Sequence, residues 1–199
     1  MRDEKKQSRH EAITKVAYDL LAEKGYNGTS MLSIAKAAKA SNETLYHWYG
    51  DKRGLFETMV RDNAAHTKVI LERTIAEQTD PDETLAQVAP VFLAMVLGDR
   101  AVLLNRAAAA DPSFELGAAI SAGGREVIQP LIETLIRRIG DKHRIEVQNM
   151  AGHFLGLLIA DIQIKRVIGV QDTLTDAQIK RQCEMALKAF YQLIGITKP

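Results

Sequence analysis

The sequence predicts an all-α fold of about nine helices. Almost every apolar pattern repeats with the period of a helix, and no stretch alternates apolar and polar residues as a half-buried strand does. Helix start signals also recur along the 199 residues, such as Asp80-Pro81 before one apolar stripe and Thr175 with Gln178 before another. A chain of this length forms one or two domains with a substantial core.

The first sixty residues divide into helices at capping residues. Ser8 and Glu11 have the spacing of a capping box for helix one, although Asp3 or Glu4 could begin it earlier. Gly25 is expected to end this helix, since glycine favours the position after a helix C-terminus. Three further caps then begin three more helices: Thr29 or Ser30, Ser41, and Asp51.

The fourth helix is long, with an apolar stripe that continues to about residue 77. We expect it to connect an N-terminal three-helix domain, residues 1–54, with a C-terminal helical domain, residues 55–199. In the second domain the pattern predicts a kink at Pro90, a helix that ends at Gly140, and helices over 144–168 and 175–194.

The second and third helices together predict a helix-turn-helix that binds DNA. Thr29 and Ser30 lie at a helix N-terminus, where backbone N–H groups favour a phosphate, and Lys52 could contact another. Reading base edges requires polar side chains near the start of the inserted helix. The third helix offers such groups after its Ser41 cap: Asn42, Glu43, Thr44, Tyr46 and His47.

This segment resembles the DNA-binding domain of the TetR family of bacterial transcriptional regulators. The resemblance covers about residues 8–60 and rests on residues at the family's spacing: Gly25-Tyr26, Thr29-Ser30, Ile34-Ala35, Ala38, Ser41, Thr44-Leu45-Tyr46 and Lys52. It implies a dimer that binds a palindromic double-stranded DNA operator. It further implies a repressor released by a small-molecule effector, although some relatives activate.

Three positions depart from the family pattern. Lys39 replaces the usual glycine of the turn and adds positive charge near DNA. Glu43 replaces a residue that is commonly small, and its carboxylate could accept a hydrogen bond from cytosine N4 or simply favour the helix N-terminus. Trp48-Tyr49 stands where the family usually has His-Phe. These departures leave the motif intact but change the groups that face DNA.

The last two predicted helices indicate a homodimer. The helix over 144–168 has one large apolar face and a second face of small residues, which allow close approach of another helix. We expect a four-helix interface, with a large monomeric core as the alternative. The predicted contact residues are Gly152, Gly156, Ala160, Cys183, Leu187 and Phe190.

The resemblance also implies an effector pocket in the C-terminal domain. Such a pocket is apolar with a few polar groups. The candidates on the middle helices are Phe92, Met95, Leu104, Asn105, Phe114, Arg125, Gln129 and His153. Most apolar residues at helical spacing belong to a core, so each could instead be a packing residue.

Composition limits the alternatives. The net charge is only +1, but residues 1–61 carry 11 Lys and Arg against 8 Asp and Glu. With one cysteine, no signal peptide and no membrane-spanning run, we expect a cytoplasmic protein without membrane partners.

The sequence offers no sign of an enzyme. The five histidines lack metal-ligand spacing, and no phosphate loop or nucleophile motif occurs, so we expect no metal, cofactor or catalysis. A helical enzyme remains one alternative. A DNA-binding protein whose C-terminal domain only mediates protein interactions is another.

Overall fold

The computed structural model describes residues 2–77 and 80–196. Within these ranges it contains eleven α-helices, one π-helical turn over Ser121–Arg125, and no β-strand, which confirms the all-α prediction. The helices are α1 (Arg2–Gly28), α2 (Met31–Ala37), α3 (Asn42–Tyr49), α4 (Lys52–Ala76), α5 (Pro81–Leu97), α6 (Asp99–Ala109), α7 (Glu115–Ile120), α8 (Glu126–His143), α9 (Met150–Ile159), α10 (Ile162–Ile168) and α11 (Asp176–Leu193).

Most predicted helix boundaries are confirmed. The side chains of Ser30, Ser41 and Asp51 accept hydrogen bonds from backbone N–H groups in the first turns of α2, α3 and α4. Gly25 has φ +67°, a left-handed value that interrupts the regular helix of α1. The proposed Ser8 cap is wrong, because α1 already begins at Arg2.

Two predicted helices are divided. The helix expected over 144–168 becomes α9 and α10, separated at Ala160, where φ is 48° and ψ is −138°. The helix predicted to end at Gly140 begins with α7 at Glu115, where the Asp111 carboxylate accepts a hydrogen bond from the Leu116 backbone N–H. It is then joined to α8 through the π-helical turn.

Gly140 does not end its helix, since α8 continues to His143. Gly140 instead leaves room for the following chain, because a Cβ atom at this position would lie 2.5 Å from Val147 Cγ2 and 2.9 Å from the Ile145 carbonyl oxygen. The chain that leaves α8 can therefore fold back against the helix. The sequence shows the glycine but not the close contact that requires it.

Two hydrophobic clusters organise the chain. The first, which we call the head core, contains residues of α1 to α3 together with Leu55, Phe56, Met59 and Val60 of α4. It also includes Leu104, Ala107 and Leu116 of α6 and α7. The second, the body core, joins α4, α5, α8, α9 and α11. The domain boundary at residues 54 and 55 stays a prediction, since α4 and α6 contribute to the head core.

No single helix in the described part of the chain is long and apolar enough to cross a membrane. The pair Pro81–Leu97 and Asp99–Ala109 meets the length and composition requirements together, but it bends by 51° between the two helices. Most of the large apolar residues of these helices are buried in the two cores.

Candidate nucleic-acid interface and internal cavity

The α3 helix presents a polar face to solvent. Its N-terminus is fixed by the Ser41 hydroxyl, which lies 3.0 Å from the Thr44 backbone nitrogen and 2.7 Å from the Thr44 hydroxyl. Behind this cap, Leu45 is fully buried in the head core, while Tyr46 is 49% exposed. The other exposed side chains of this face are Asn42, Glu43 and His47. Four of the five predicted reading residues are therefore exposed, and Thr44 is partly covered.

A three-residue hydrogen-bond chain fixes the far end of α3. His10 Nδ1 lies 2.9 Å from the Tyr49 hydroxyl, and His10 Nε2 lies 2.7 Å from Asp62 Oδ2. The chain thus joins α1, α3 and α4. Burial raises the pKa of Tyr49 to about 12, so its hydroxyl stays protonated well above neutral pH. The sequence did not reveal this set, because 52 residues separate His10 from Asp62.

The turn between α2 and α3 contains the unusual Lys39. Its φ of 50° is left-handed, the conformation in which glycine carries no steric cost. The Lys39 backbone oxygen accepts a hydrogen bond of 3.2 Å from Arg9 Nη2, which fixes the turn to α1. Its side chain is exposed and adds a positive charge beside α3, as the sequence predicted.

Three predicted phosphate-binding residues also have internal roles. Thr29 is buried, and its hydroxyl lies within hydrogen-bonding distance of the Leu20 and Gly25 carbonyl oxygens. The Ser30 hydroxyl caps α2 by accepting from the Ser33 backbone N–H. The Thr29 hydroxyl is therefore already engaged within the head, whereas Ser30 remains exposed, and contact with DNA stays a prediction for both.

Lys52 joins the start of α4 to the segment between α1 and α2. Its ammonium donates to the Tyr26 and Thr29 carbonyl oxygens at 3.0 and 3.1 Å and lies 4.1 Å from the centre of the Tyr26 ring. Desolvation lowers the pKa of Lys52 from its ordinary value. An ammonium has three donors, so one stays available for a phosphate. The predicted phosphate contact is therefore compatible with its structural role.

A cavity of about 520 Å³ lies between the head and the body core. Its walls are mostly apolar, and no Asp or Glu occurs among the lining residues in the described ranges. The predicted pocket residues that line it are Phe92, Met95, Leu104, Asn105, Arg125 and Gln129. Sequence reasoning missed two lining amides, Asn63 and Gln163, because each lies on a helix that had been given another role.

Two predicted pocket residues lie elsewhere. Phe114 is 78% exposed and has a left-handed φ of 62° where it precedes α7. His153 lies on an exposed part of α9 with its Nδ1 3.3 Å from the Asn149 carbonyl oxygen. Neither residue lines this cavity, because helical spacing alone does not say which face of a helix meets it, and their role in effector binding stays a prediction.

The predicted interface residues have different surroundings. Cys183 and Phe190 are buried in the body core of a single chain, so they have no surface left for a partner. Burial raises the pKa of the Cys183 thiol to about 11, which keeps it protonated and unreactive. Leu187 is partly buried against the same core. The small residues of α9, which are Gly152, Gly156 and Ala160, are exposed and line the cavity.

Comparisons with known proteins agree with this architecture. Residues 13–59 match the model of the bacterial regulatory proteins of the tetR family. The HTH-type transcriptional regulator HbdR of Aromatoleum is 30% identical over 92 residues, which cover 46% of this chain and 40% of HbdR. The chain thus aligns with less than half the length of this curated relative. YdeS of Bacillus subtilis, an HTH-type transcriptional regulator, is 46% identical over 43 residues, or 22% of each chain.

Solved structures extend the likeness to the whole fold. A Mesorhizobium loti protein assigned to the TetR family superimposes with a TM-score of 0.75 and 25% identity, covering 94% of this chain and 96% of that one. FadR of Bacillus subtilis, solved with stearoyl-CoA, shares the fold with a TM-score of 0.71 at 16% identity, covering 90% and 96%.

The structure therefore defines a class: a helix-turn-helix head joined through a long helix to an all-helical body that contains a cavity. The matched segment, residues 13–59, is a DNA-binding head of the tetR family of bacterial regulatory proteins. The chain as a whole shares the fold of a structure assigned to that family.

Proposed function

We propose that the protein is a homodimeric DNA-binding transcriptional regulator, most simply a repressor that a small molecule releases from a palindromic operator. The single observation that carries this proposal is that two residues are shared by the head core and the cavity. Val60 of α4 and Leu104 of α6 belong to the head core, and both also line the cavity. A molecule that fills the cavity would therefore contact residues on which the head packs.

The head is joined to the same two helices by polar contacts. Arg100 of α6 lies 5.2 Å from the centre of the Tyr18 ring in α1, and the Tyr18 hydroxyl donates to the Met59 carbonyl oxygen of α4. A shift of α4 or α6 would therefore move α1 and, through the His10 hydrogen bonds, α3. Two heads must lie about 34–36 Å apart to enter successive major grooves. A small shift of each head would spoil this spacing.

The first test is binding to DNA. We expect nanomolar binding to a palindrome in the region upstream of the gene, measured by fluorescence anisotropy at a stated salt concentration. Asn42→Ala should weaken operator binding by about 1–3 kcal/mol and leave binding to unrelated DNA nearly unchanged, because an amide that reads a base contributes only to the specific complex.

Lys180→Ala, an exposed change on α11, is the matched control and should alter neither affinity. Equal losses on operator and unrelated DNA would contradict base reading by Asn42. Failure to bind any upstream palindrome at low salt would count against the regulatory function.

The proposed dimer uses the outer side of α9 and α11. These helices are joined by Gln182, whose amide nitrogen donates to the Leu157 and Leu158 carbonyl oxygens at 3.0 Å. On α11, Met185 and Leu193 are 52% and 54% exposed, although their neighbours Cys183 and Phe190 are buried. Exposed apolar residues of α11, a helix that adjoins α9, are suited to a two-fold four-helix interface.

Introducing charge on that face should separate the dimer. We expect the double variant Met185→Glu, Leu193→Glu to sediment as a monomer and to lose operator affinity, because two buried charges would face each other across a two-fold axis. Glu184→Lys changes an exposed residue one position away and about 100° around the helix, and it should remain dimeric. A dimeric double variant would show that the interface lies elsewhere.

The cavity supports a C-terminal domain that binds an effector, in preference to a C-terminal domain that only mediates protein interactions. An enzyme is the other alternative. No group of three or more potential metal-ligating side chains occurs among the residues described, and the buried Cys183 is not activated. Turnover abolished by a change in the cavity, with no DNA binding, would support the enzyme instead.

A further inference from the structure

The cavity lining combines apolar side chains with several neutral amides and one cation. Its apolar walls include Phe92, Met95, Ile128 and Leu155, and its neutral polar groups are the amides of Asn63, Asn105, Gln129 and Gln163. Among the residues that the structure describes, Arg125 is the one charged side chain in the lining. A cavity of this composition suits a molecule with an apolar body, a few neutral polar contacts and one anionic group.

Arg125 is available to such an anion. Its Nε donates to Gln129 Oε1 at 3.1 Å, and Gln129 in turn donates to Glu133 Oε1 at 2.8 Å. The structure shows no ion pair of Arg125 with any described carboxylate, in contrast to Arg53, Arg73 and Arg166. Because a guanidinium has five N–H donors, Arg125 keeps a free edge that can hold a carboxylate through two parallel hydrogen bonds.

Arg125 lies on a segment that packs against α4. It ends the π-helical turn Ser121–Arg125, and such turns occur frequently at functional sites. The turn packs closely on α4: a Cβ atom at Gly123 would lie 2.9 Å from Val60 Cγ1. An anion held by Arg125 would therefore act on a segment that contacts a residue of the head core.

We propose that the cavity binds an apolar monocarboxylic acid, whose carboxylate pairs with Arg125 and whose hydrocarbon body occupies the apolar part. The assignment rests on the proposed effector function of this cavity. A singly charged head matches the single cation, whereas a phosphate dianion would need a second positive group that the described lining residues do not supply.

The test compares acids with their neutral amides. The probes are decanoate with decanamide and 4-phenylbutanoate with 4-phenylbutanamide, titrated calorimetrically into the full-length protein. We expect the wild type to bind at least one acid about tenfold more tightly than its amide. Arg125→Gln should bind that acid and its amide equally, since it keeps a polar side chain but removes the charge. Arg181→Gln, an exposed change on α11, should keep the preference.

Three outcomes would overturn the proposal: no acid binds the wild type, acid and amide bind the wild type equally, or Arg125→Gln retains the preference. Anisotropy with operator DNA, measured on the same samples, tests the underlying function separately. If the amides bind and release DNA as well as the acids, the effector function stands and the acid class is wrong. If the acids bind through Arg125 but leave DNA affinity unchanged, the ligand class stands and the effector function is wrong.

Discussion

Gly54→Ala is expected to destabilise the protein by about 3 kcal/mol and to weaken operator binding by more than tenfold. Gly54 lies in the first turn of α4, where its backbone N–H donates to Asp51 Oδ1. An added Cβ atom would lie 2.0 Å from the Tyr49 carbonyl oxygen and 3.2 Å from the Tyr49 carbonyl carbon. Both atoms are backbone, so no side-chain rotation can relieve the contact.

The expected consequence is a displacement of α3 from α4. Tyr49 is the last residue of α3, and its hydroxyl belongs to the hydrogen-bond chain through His10 to Asp62. Pushing the Tyr49 carbonyl away would loosen this chain and tilt the exposed face of α3. DNA affinity should therefore fall even at temperatures where the variant is still folded.

Thermal unfolding followed by circular dichroism, together with anisotropy on operator DNA, measures both effects. Gly117→Ala is the matched control, because a Cβ atom there meets nothing within 4 Å. It should raise stability by roughly 0.5–1 kcal/mol through helix propensity alone. A Gly54→Ala protein with wild-type melting and wild-type DNA affinity would refute the close contact.

Arg166→Met is expected to cost about 2 kcal/mol, equivalent to a decrease of roughly 4–8 °C in melting temperature. The Arg166 side chain is only 7% exposed. Its Nε donates to the Leu97 carbonyl oxygen at 3.0 Å, and its Nη2 donates to Asp99 Oδ1 at 2.6 Å. Methionine fills similar space but leaves the end of α5 without its charged donor.

Lys165→Met is the control for this substitution. Lys165 forms an exposed ion pair with Asp161 one helical turn away, and such pairs contribute little to stability. Its removal should change the unfolding free energy by less than about 0.5 kcal/mol. If urea denaturation showed that the two variants lose equal unfolding free energy, the stabilising contribution of the buried Arg166 guanidinium would be contradicted.

The Arg166 contact also has a pH signature. Its hydrogen bond, with a further one from Thr173, holds the pKa of Asp99 below the ordinary 3.8. A lowered folded-state pKa contributes stability that is present above pH 3.8 and is lost as the pH falls through the folded-state value. The difference in unfolding free energy between wild type and Arg166→Met should therefore shrink from pH 7 to pH 3, and a difference that grows towards acid would contradict it.

Short-range features of the head follow from the sequence. The caps Ser30, Ser41 and Asp51 act on N–H groups two or three residues away, so their residue types and spacing suffice to locate α2, α3 and α4. The sequence also placed Lys39 at the turn position where the family usually has glycine, and the structure shows its φ of 50° there. The same residues carry the family resemblance, because the spacing of the caps along the chain is what sets the local geometry of these helices.

Interactions between distant residues could not be obtained in this way. Helical spacing identified apolar faces but not the neighbour of each face, so Phe114 and His153 were placed in the cavity, and Cys183 and Phe190 at the interface. Burial depends on how α5, α8, α9 and α11 pack together, a property of the whole body core.

The sequence by itself determined the all-α fold, the helix-turn-helix and the polar residues of its second helix, because caps, turns and periodicity act within a few residues. Only the tertiary structure decided that Lys52 and Thr29 hold the head together, that Val60 and Leu104 serve both head core and cavity, and that Arg125 has no carboxylate partner among the described residues. Each of these contacts joins helices far apart in the chain. Their geometry is set by packing over long sequence separations, which no local pattern encodes.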